Sequence, residues 1–327
     1  MERHVGAIMN NSKIKVLYIA GTGRSGSTIV HNILGQIDGF SAVGELRYIW
    51  ERGFIKNALC GCGVSFQECE FWRAVVREAF GGMDHAYVHR MSGLTASFRI
   101  YHLPLTLISH VRQRLASRLS EYLDSLEKLY RAIQTTTGSR VIVDSSKFPQ
   151  YGYAVRMIPV IELYVVHLTR DSRAVAYSRS RKRLLEPDPK NPEYMEQENP
   201  IRASLRWNAR NLTSEMHLRQ TPVRYMMLRY EDFIDEPEAS VKRILSLVDE
   251  TAVDLPFVTE HAVEITKTNH SVFGNVVRFQ TGTVELKLDK EWKMKMRRPH
   301  KIAVLALTWP LLLKYGYLMK FHNQNRE

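Results

Sequence analysis

Gly21 and Gly26 stand five residues apart in the segment GTGRSGST. At that spacing a glycine-rich turn directs its backbone N–H groups, and the helix start behind them, onto a phosphate. In nucleotide-cleaving enzymes the pattern reads GxxxxGK[ST], and its lysine neutralises charge on the β- and γ-phosphates. Here Ser27 fills the lysine position and Thr28 the hydroxyl position, while a cation, Arg24, lies inside the loop. Gly23, Arg24, Ser25, Gly26, Ser27 and Thr28 are therefore the candidate phosphate-binding residues. A simple tight turn between a strand and a helix would use the same glycines.

The flanking elements favour the ligand. Ile14 to Ala20 is a short apolar run that ends in the loop, and Ile29, Val30, Ile33, Leu34 and Ile37 follow at helical spacing. Arg140 to Asp144, Glu162 to Thr169 and Val223 to Leu228 are further β-branched runs, each too short for a helix. Buried parallel strands have this composition. Between them Val111, Leu115, Leu119, Tyr122, Leu126, Leu129 and Ile133 step by three and four, and Pro237 opens a helix over EASVKRILSLV. Strands alternating with helices imply an α/β fold, a P-loop NTPase-like three-layer sandwich with a central parallel sheet flanked by helices. Residues 1–327 read as one domain, with 53–134 a helical insertion that shapes part of the site. Arg183 to Pro200 carries four prolines and no apolar period, and reads as a long surface loop.

RSGST after an apolar strand resembles the 5′-phosphosulfate loop of sulfotransferases that use 3′-phosphoadenosine-5′-phosphosulfate (PAPS). HLTRDSRAVAYSRSR resembles their 3′-phosphate segment, in which an Arg at a strand end precedes by eight residues a Ser on the next helix; here these are Arg170 and Ser178. A guanidinium fork and a hydroxyl suit a phosphate dianion. VIVDSSKFP, WNARN, LRYEDFIDEP and GNVVRFQTG followed by LDKEW resemble, in order, segments of bacterial and carbohydrate-type members, so the likeness spans residues 14–317. It implies PAPS as co-substrate, a hydroxyl-bearing acceptor (sugar, lipid, small molecule or peptide tyrosine), no required metal, and Arg278 near the 3′-phosphate. Arg278 as an ordinary loop arginine is the competing reading.

Sulfonate transfer needs an in-line acceptor oxygen, a base for its proton, and positive charge on the sulfonate and the departing oxygen. Phenol and steroid sulfotransferases place a histidine after the strand matching Arg140 to Asp144, where this chain has DSSK. Tyrosylprotein sulfotransferases instead carry a Gly-Glu pair after the first helix, and Gly44–Glu45 matches it. Glu45 is the expected base, with capping or ion pairing at the helix near Leu46 as its structural alternative. Lys147 is expected at the sulfonate, unless it is a plain surface lysine. Two rival functions remain. In a Mg-dependent kinase or NTPase, Asp144 would end a metal-binding strand and Thr28 would reach the ion. A nucleic-acid-binding protein has only charge in its favour.

That charge is +12, from 46 Lys and Arg against 34 Asp and Glu, and it selects anionic partners without naming one. The basic residues are dispersed along the chain, which suits a phosphate-lined cleft. Nothing before Lys13 is apolar enough for a signal peptide, and Ile302 to Leu313 is too short to cross a membrane, which implies a packed helix and a cytoplasmic protein. Cys60, Cys62 and Cys69 are too few and too local for a disulfide framework, and no fourth ligand for zinc lies near them in sequence. They are expected to pack locally or to form one pair of cysteines, and His167 and His270 to be structural. Tyr48, Trp50, Phe71 and Trp72 are expected mainly in the core.

Overall fold

In a computed structural model, residues 13–186, 193–220, 222–251 and 254–318 are described. The N-terminal stretch and residues 187–192 of the proline-rich segment lie outside them. Five strands form the central sheet: β1 (Ile14–Gly21), β2 (Phe40–Gly44), β3 (Val141–Lys147), β4 (Ile161–Thr169) and, after a short pair β5 (Leu184–Glu186) and β6 (Glu193–Tyr194), β7 (Arg224–Arg229). The order is β2-β3-β1-β4-β7, and every neighbouring pair is parallel.

Side chains alternate across this sheet, as period 2 requires. Val16, Tyr18, Ile142, Leu163 and Val165 enter one core cluster; Leu17, Ile19, Val143, Tyr164 and Val166 enter the other. Helices cover both faces, which gives the three layers and explains why β1, β4 and the start of β3 read as apolar runs. The first cluster continues into the 53–134 segment through Phe66, Trp72, Met91 and Leu126, so this helical region shares the core of the sheet. A small antiparallel sheet, β8 (Phe257–Thr259), β9 (Ala262–Ile265) and β10 (Gly282–Glu285), packs on the second cluster.

The apolar run through Ile133 is two helices, Ser109–Arg118 and Ser120–Thr137, which meet at the buried Leu119. The expected proline-rich loop is partly a hairpin: Leu184 pairs with Tyr194, and Leu185 is buried. The prolines obscure that pairing because the apolar stretch is only two residues long. Pro237 opens its helix at the first turn as expected. The late apolar stretch lies in the helix Arg298–Lys314, and no helix among the described residues is long and apolar enough to cross a membrane.

Candidate active site

The parallel strands deliver their chemistry at one edge. Just beyond the carboxyl end of β1 comes Arg24, beyond β2 Glu45, beyond β4 Arg170, beyond β7 Tyr230, and Lys147 is the last residue of β3. This is where open α/β sheets bind ligands. All five line a cleft of about 1220 Å³.

The loop between β1 and the helix Ser27–Leu34 is held open by backbone geometry. Gly26 has φ +85°, and a Cβ there would overlap the Tyr230 ring. Arg24 is also left-handed, at φ 76°, an uncommon state for a residue with a Cβ. Thr22 Oγ1 and Ser25 Oγ are hydrogen-bonded at 2.9 Å, which ties the loop to itself. Arg170 Nη1 donates to Arg24 O at 3.0 Å and its guanidinium lies 4.8 Å over the Tyr230 ring, so the second basic segment braces the first. Burial, then repulsion from Arg183 and Arg179, pulls Arg24 down to about 10. The guanidinium stays charged at neutral pH, with the Glu45 carboxylate partly offsetting that repulsion.

Glu45 and Lys147 form an ion pair of 2.6 Å with side chains only 9% and 8% exposed. Glu45 makes no side-chain cap to the 3₁₀ turn Leu46–Tyr48, and its ion pair is with Lys147 at the end of β3 and not with that turn. Its backbone N–H donates to Phe273 O at 3.2 Å. Lys147 sits at φ 68° and also donates to Ser145 O at 3.0 Å; burial pulls its ammonium down while Glu45 holds it up.

Around Arg170 one carboxylate lies near three guanidiniums, of which Arg181 also pairs with Glu291. Asp289 Oδ2 lies 3.6 Å from Arg170, 3.7 Å from Arg181 and 3.8 Å from Arg183. The Nε atoms of all three arginines are buried without hydrogen-bond partners. Ser178, one helical stretch on from Arg170, lines the same cleft. This surplus of donors and charge is what a phosphate would satisfy.

Of the residues singled out from sequence, Gly23, Arg24, Gly26, Ser27, Thr28, Glu45, Lys147, Arg170 and Ser178 line the cleft together. Ser25 and Arg278 do not. Ser25 is buried on Thr22, and Arg278 is buried with Nη1 donating to Gly274 O at 2.6 Å and Nη2 to Leu59 O at 3.5 Å. Its segment does reach the cleft, through Asn275 and Val277.

Several cleft residues escaped the sequence reading. Arg47 and Arg210 both lie over the Phe148 ring, at 4.2 and 4.1 Å, and burial followed by Arg179 pulls Arg210 down to about 10. Buried Glu198 pairs with Arg179 and Arg206. A signal for Arg210 was present in WNARN: Trp207 and Asn211 turn inward, where Trp207 Nε1 donates to Arg170 O at 3.0 Å and Asn211 bonds His167 at 2.8 Å. Tyr48 is at the cleft too, next to a π-helical stretch, Ile49–Ile55, that brings Glu51 and Arg52 to the wall. Trp50 and Trp72 are core, as expected, and Phe71 stacks on His270.

Asp144, the carboxylate a Mg-dependent enzyme would direct at its ion, is turned into the protein. It accepts from Tyr130 Oη at 2.7 Å and from the Ser146 backbone at 2.8 Å and hydroxyl at 2.5 Å, and burial pushes it up to about 6. A second cavity, of about 310 Å³ between Glu215, Arg219, Tyr225, Met227, Lys314 and Tyr315, contains none of the residues singled out above.

Sheet order and phosphate loop define a protein of the P-loop NTPase-like α/β class whose loop cation is an arginine. Comparison with known proteins makes this specific: residues 17–254 match the Sulfotransferase family, and the chain belongs to it. It is a sulfotransferase. Two solved structures share the fold along nearly their whole length. The sulfotransferase domain from the Synechococcus PCC 7002 olefin synthase has a TM-score of 0.51 and 16% identity, covering 92% of this chain and 95% of that one. The sulfotransferase domain from the curacin biosynthetic pathway has a TM-score of 0.51 and 17% identity, covering 92% of this chain and 98% of that one. A search of curated protein sequences finds no match.

Proposed function

We propose that the protein moves the sulfonate of PAPS onto an acceptor hydroxyl by in-line displacement at sulfur. The observation that carries this reading is one cleft with two cationic ends: a glycine-rich loop with its own arginine, Arg24, and the pair Arg170 and Arg183, both within 3.8 Å of Asp289. A nucleotide phosphorylated on both sides of its ribose suits such a pair, whereas an ordinary nucleoside triphosphate leaves the second end unmatched.

In this reading Gly23 to Thr28 hold the 5′-phosphosulfate, with Arg24 on its charge, and Arg170 with Ser178 hold the 3′-phosphate. Glu45 takes the acceptor proton as the acceptor O–S bond forms. The bond from sulfur to the 5′-phosphate oxygen breaks, and its electron pair stays on that oxygen, where Arg24 and Lys147 meet the charge. The 2.6 Å ion pair couples these events. A protonated Glu45 attracts Lys147 less, which releases the ammonium toward the departing phosphate as its charge grows. The cleft's arginines and Lys147 supply the positive charge, so the reaction as read calls for no metal. A Gly-Glu base also fits the tyrosylprotein pattern.

The acceptor side is proposed to lie toward the 53–134 insertion, within a single domain. Phe98, Ile100, Tyr101, Leu185 and Met195 line that part of the cleft, which suits an acceptor with an apolar body beside its hydroxyl. A cytoplasmic setting accords with Cys60, Cys62 and Cys69 being outside any disulfide. The deciding experiment is calorimetry with 3′-phosphoadenosine-5′-phosphate against ATP with Mg²⁺. Tighter binding of the bisphosphate, unaffected by a chelator, is expected; preference for Mg-ATP would favour a kinase and overturn the reading. Salt-sensitive binding of oligonucleotides without nucleotide preference would instead favour the nucleic-acid reading.

A further inference from the structure

The three cysteines lack a fourth ligand only in sequence; the fold supplies it. Cys60 and Cys62 lie on a tight loop closed by Cys60 N–H to Val64 O and Gly63 N–H to Cys60 O, both at 2.8 Å. Cys69 immediately precedes the helix Glu70–Phe80. His270 arrives from the segment after β9. Its Nδ1 lies 3.3 Å from Cys69 Sγ and 3.8 Å from Cys60 Sγ, and Cys62 Sγ lies 3.6 Å from Cys69 Sγ. All four donor atoms fall within 4.8 Å of one another. A tetrahedral zinc with bonds of about 2.3 Å to sulfur and 2.0–2.1 Å to nitrogen separates its ligands by about 3.5–3.8 Å. The three measured separations fall at or near that range.

The surroundings hold this geometry in place. Phe71 stacks on the His270 ring at 4.6 Å and 11°, and Trp72 Nε1 donates to His270 O at 2.9 Å, so both ring and backbone are oriented from the helix that follows Cys69. Gly61, between two of the cysteines, donates to Ser271 O at 3.0 Å and has no room for a Cβ against Asn269. Cys60 and Cys69 are buried.

We propose that Cys60, Cys62, Cys69 and His270 bind one zinc ion. Three sulfurs and an imidazole in a tetrahedral array select zinc over the oxygen-seeking magnesium and calcium. With four protein ligands no position is open for substrate, so the ion is structural. None of the four residues lines the cleft. The site ties the start of the helical insertion to the 269–278 segment, and that segment supports the cleft. Val272 N–H donates to Val43 O and Glu45 N–H to Phe273 O, both at 3.2 Å, while Arg278 reaches Leu59 O, next to Cys60. The metal thus steadies the main chain behind Glu45 from a distance.

Elemental analysis of the purified wild-type chain tests this without reference to activity. About one zinc per chain is expected, as is cobalt substitution giving the intense visible bands of a tetrahedral thiolate site. Cys69→Ser and His270→Ala should lose the metal, whereas His270→Cys, which keeps a soft ligand there, should retain it. A thiol-reactive zinc-release agent should lower the melting temperature of the wild type. A folded wild-type protein that neither carries zinc nor takes up cobalt overturns the proposal. So does a Cys62–Cys69 disulfide found by mass spectrometry in protein isolated with its thiols trapped.

Discussion

Replacing Arg170 with alanine is expected to weaken 3′-phosphoadenosine-5′-phosphate much more than adenosine 5′-phosphate. The guanidinium does two separable things. Nη1 fixes the phosphate loop through Arg24 O at 3.0 Å; losing that bond affects both nucleotides and costs about 0.5–1.5 kcal/mol. The other end faces Asp289, with the backbone carbonyl at 3.3 Å and the carboxylate at 3.6 Å, beside Arg181 and Arg183. A 3′-phosphate bound there gains a charge-assisted hydrogen bond of about 1.5–3 kcal/mol. The Arg170 side chain is only 8% exposed, so salt screens that bond little. The bisphosphate loses both contributions and the monophosphate only the first, which moves the ratio of their dissociation constants about 10- to 150-fold. Calorimetry with both nucleotides on wild type and Arg170→Ala measures that ratio. Asp289→Asn is the companion, expected to tighten the bisphosphate because it removes the competing carboxylate. A ratio unchanged in Arg170→Ala would take the 3′-phosphate away from this arginine and refute the two-ended reading of the cleft.

Glu45→Gln is expected to lower kcat by about 10²- to 10⁴-fold while leaving nucleotide affinity near wild type; full turnover with chemistry rate-limiting removes Glu45 as base. Gly26→Ala places a side chain at φ +85° against the Tyr230 ring. It should cost at least about 1–2 kcal/mol from the backbone alone and lower the melting temperature, and an unshifted transition would show that the loop relaxes freely. Asp144 titrates at about 6 when folded against an ordinary 3.8, because burial disfavours its charge. The folded state therefore keeps a proton that the unfolded chain has released, so this group's stabilisation is fully present below about pH 3.8. It is lost, by about 3 kcal/mol, as pH rises through 6. Urea unfolding across pH 4–7 should show that decline in wild type and a flatter profile in Asp144→Asn; equal slopes would refute it.

The parts of this site that are legible in the sequence are those made within a few residues. The phosphate loop is one, because Gly21, Arg24 and Gly26 carry their backbone requirements locally. The three central strands β1, β3 and β4 are another, because burial on both faces makes them mainly apolar runs, and the edge strand β7 still carries the apolar stretch Tyr225 to Leu228. β2, Phe40–Gly44, was not legible: Ser, Ala and Gly fill three of its five positions, and its pairing with β3 is what makes it a strand. The same limit governs the chemistry. Glu45 could be singled out, but its partner Lys147 lies 102 residues away, and only the order β2-β3 brings their ends together. The cysteines could be seen, but His270 is 201 residues from Cys69. Arg278 shows the converse: its segment lines the cleft through Asn275 and Val277, while its own guanidinium is buried on Gly274 O and Leu59 O.

These cases share one physical cause. In a parallel sheet the chain enters the functional edge once per strand, so the residue just past each strand is a candidate for chemistry even when its strand looks weak. Which candidates touch is decided by strand order, a long-range property. Arg24 and Arg170 follow the neighbouring strands β1 and β4, and they meet through the Arg170–Arg24 hydrogen bond. Glu45 and Lys147 sit at the ends of the neighbouring strands β2 and β3 and form the ion pair. The central pair β1 and β3 joins the two couples into one edge. Exchanging β3 and β4 in the order would leave every motif intact and separate Glu45 from Lys147, so the proposed proton acceptor depends on topology as much as on the identity of residue 45.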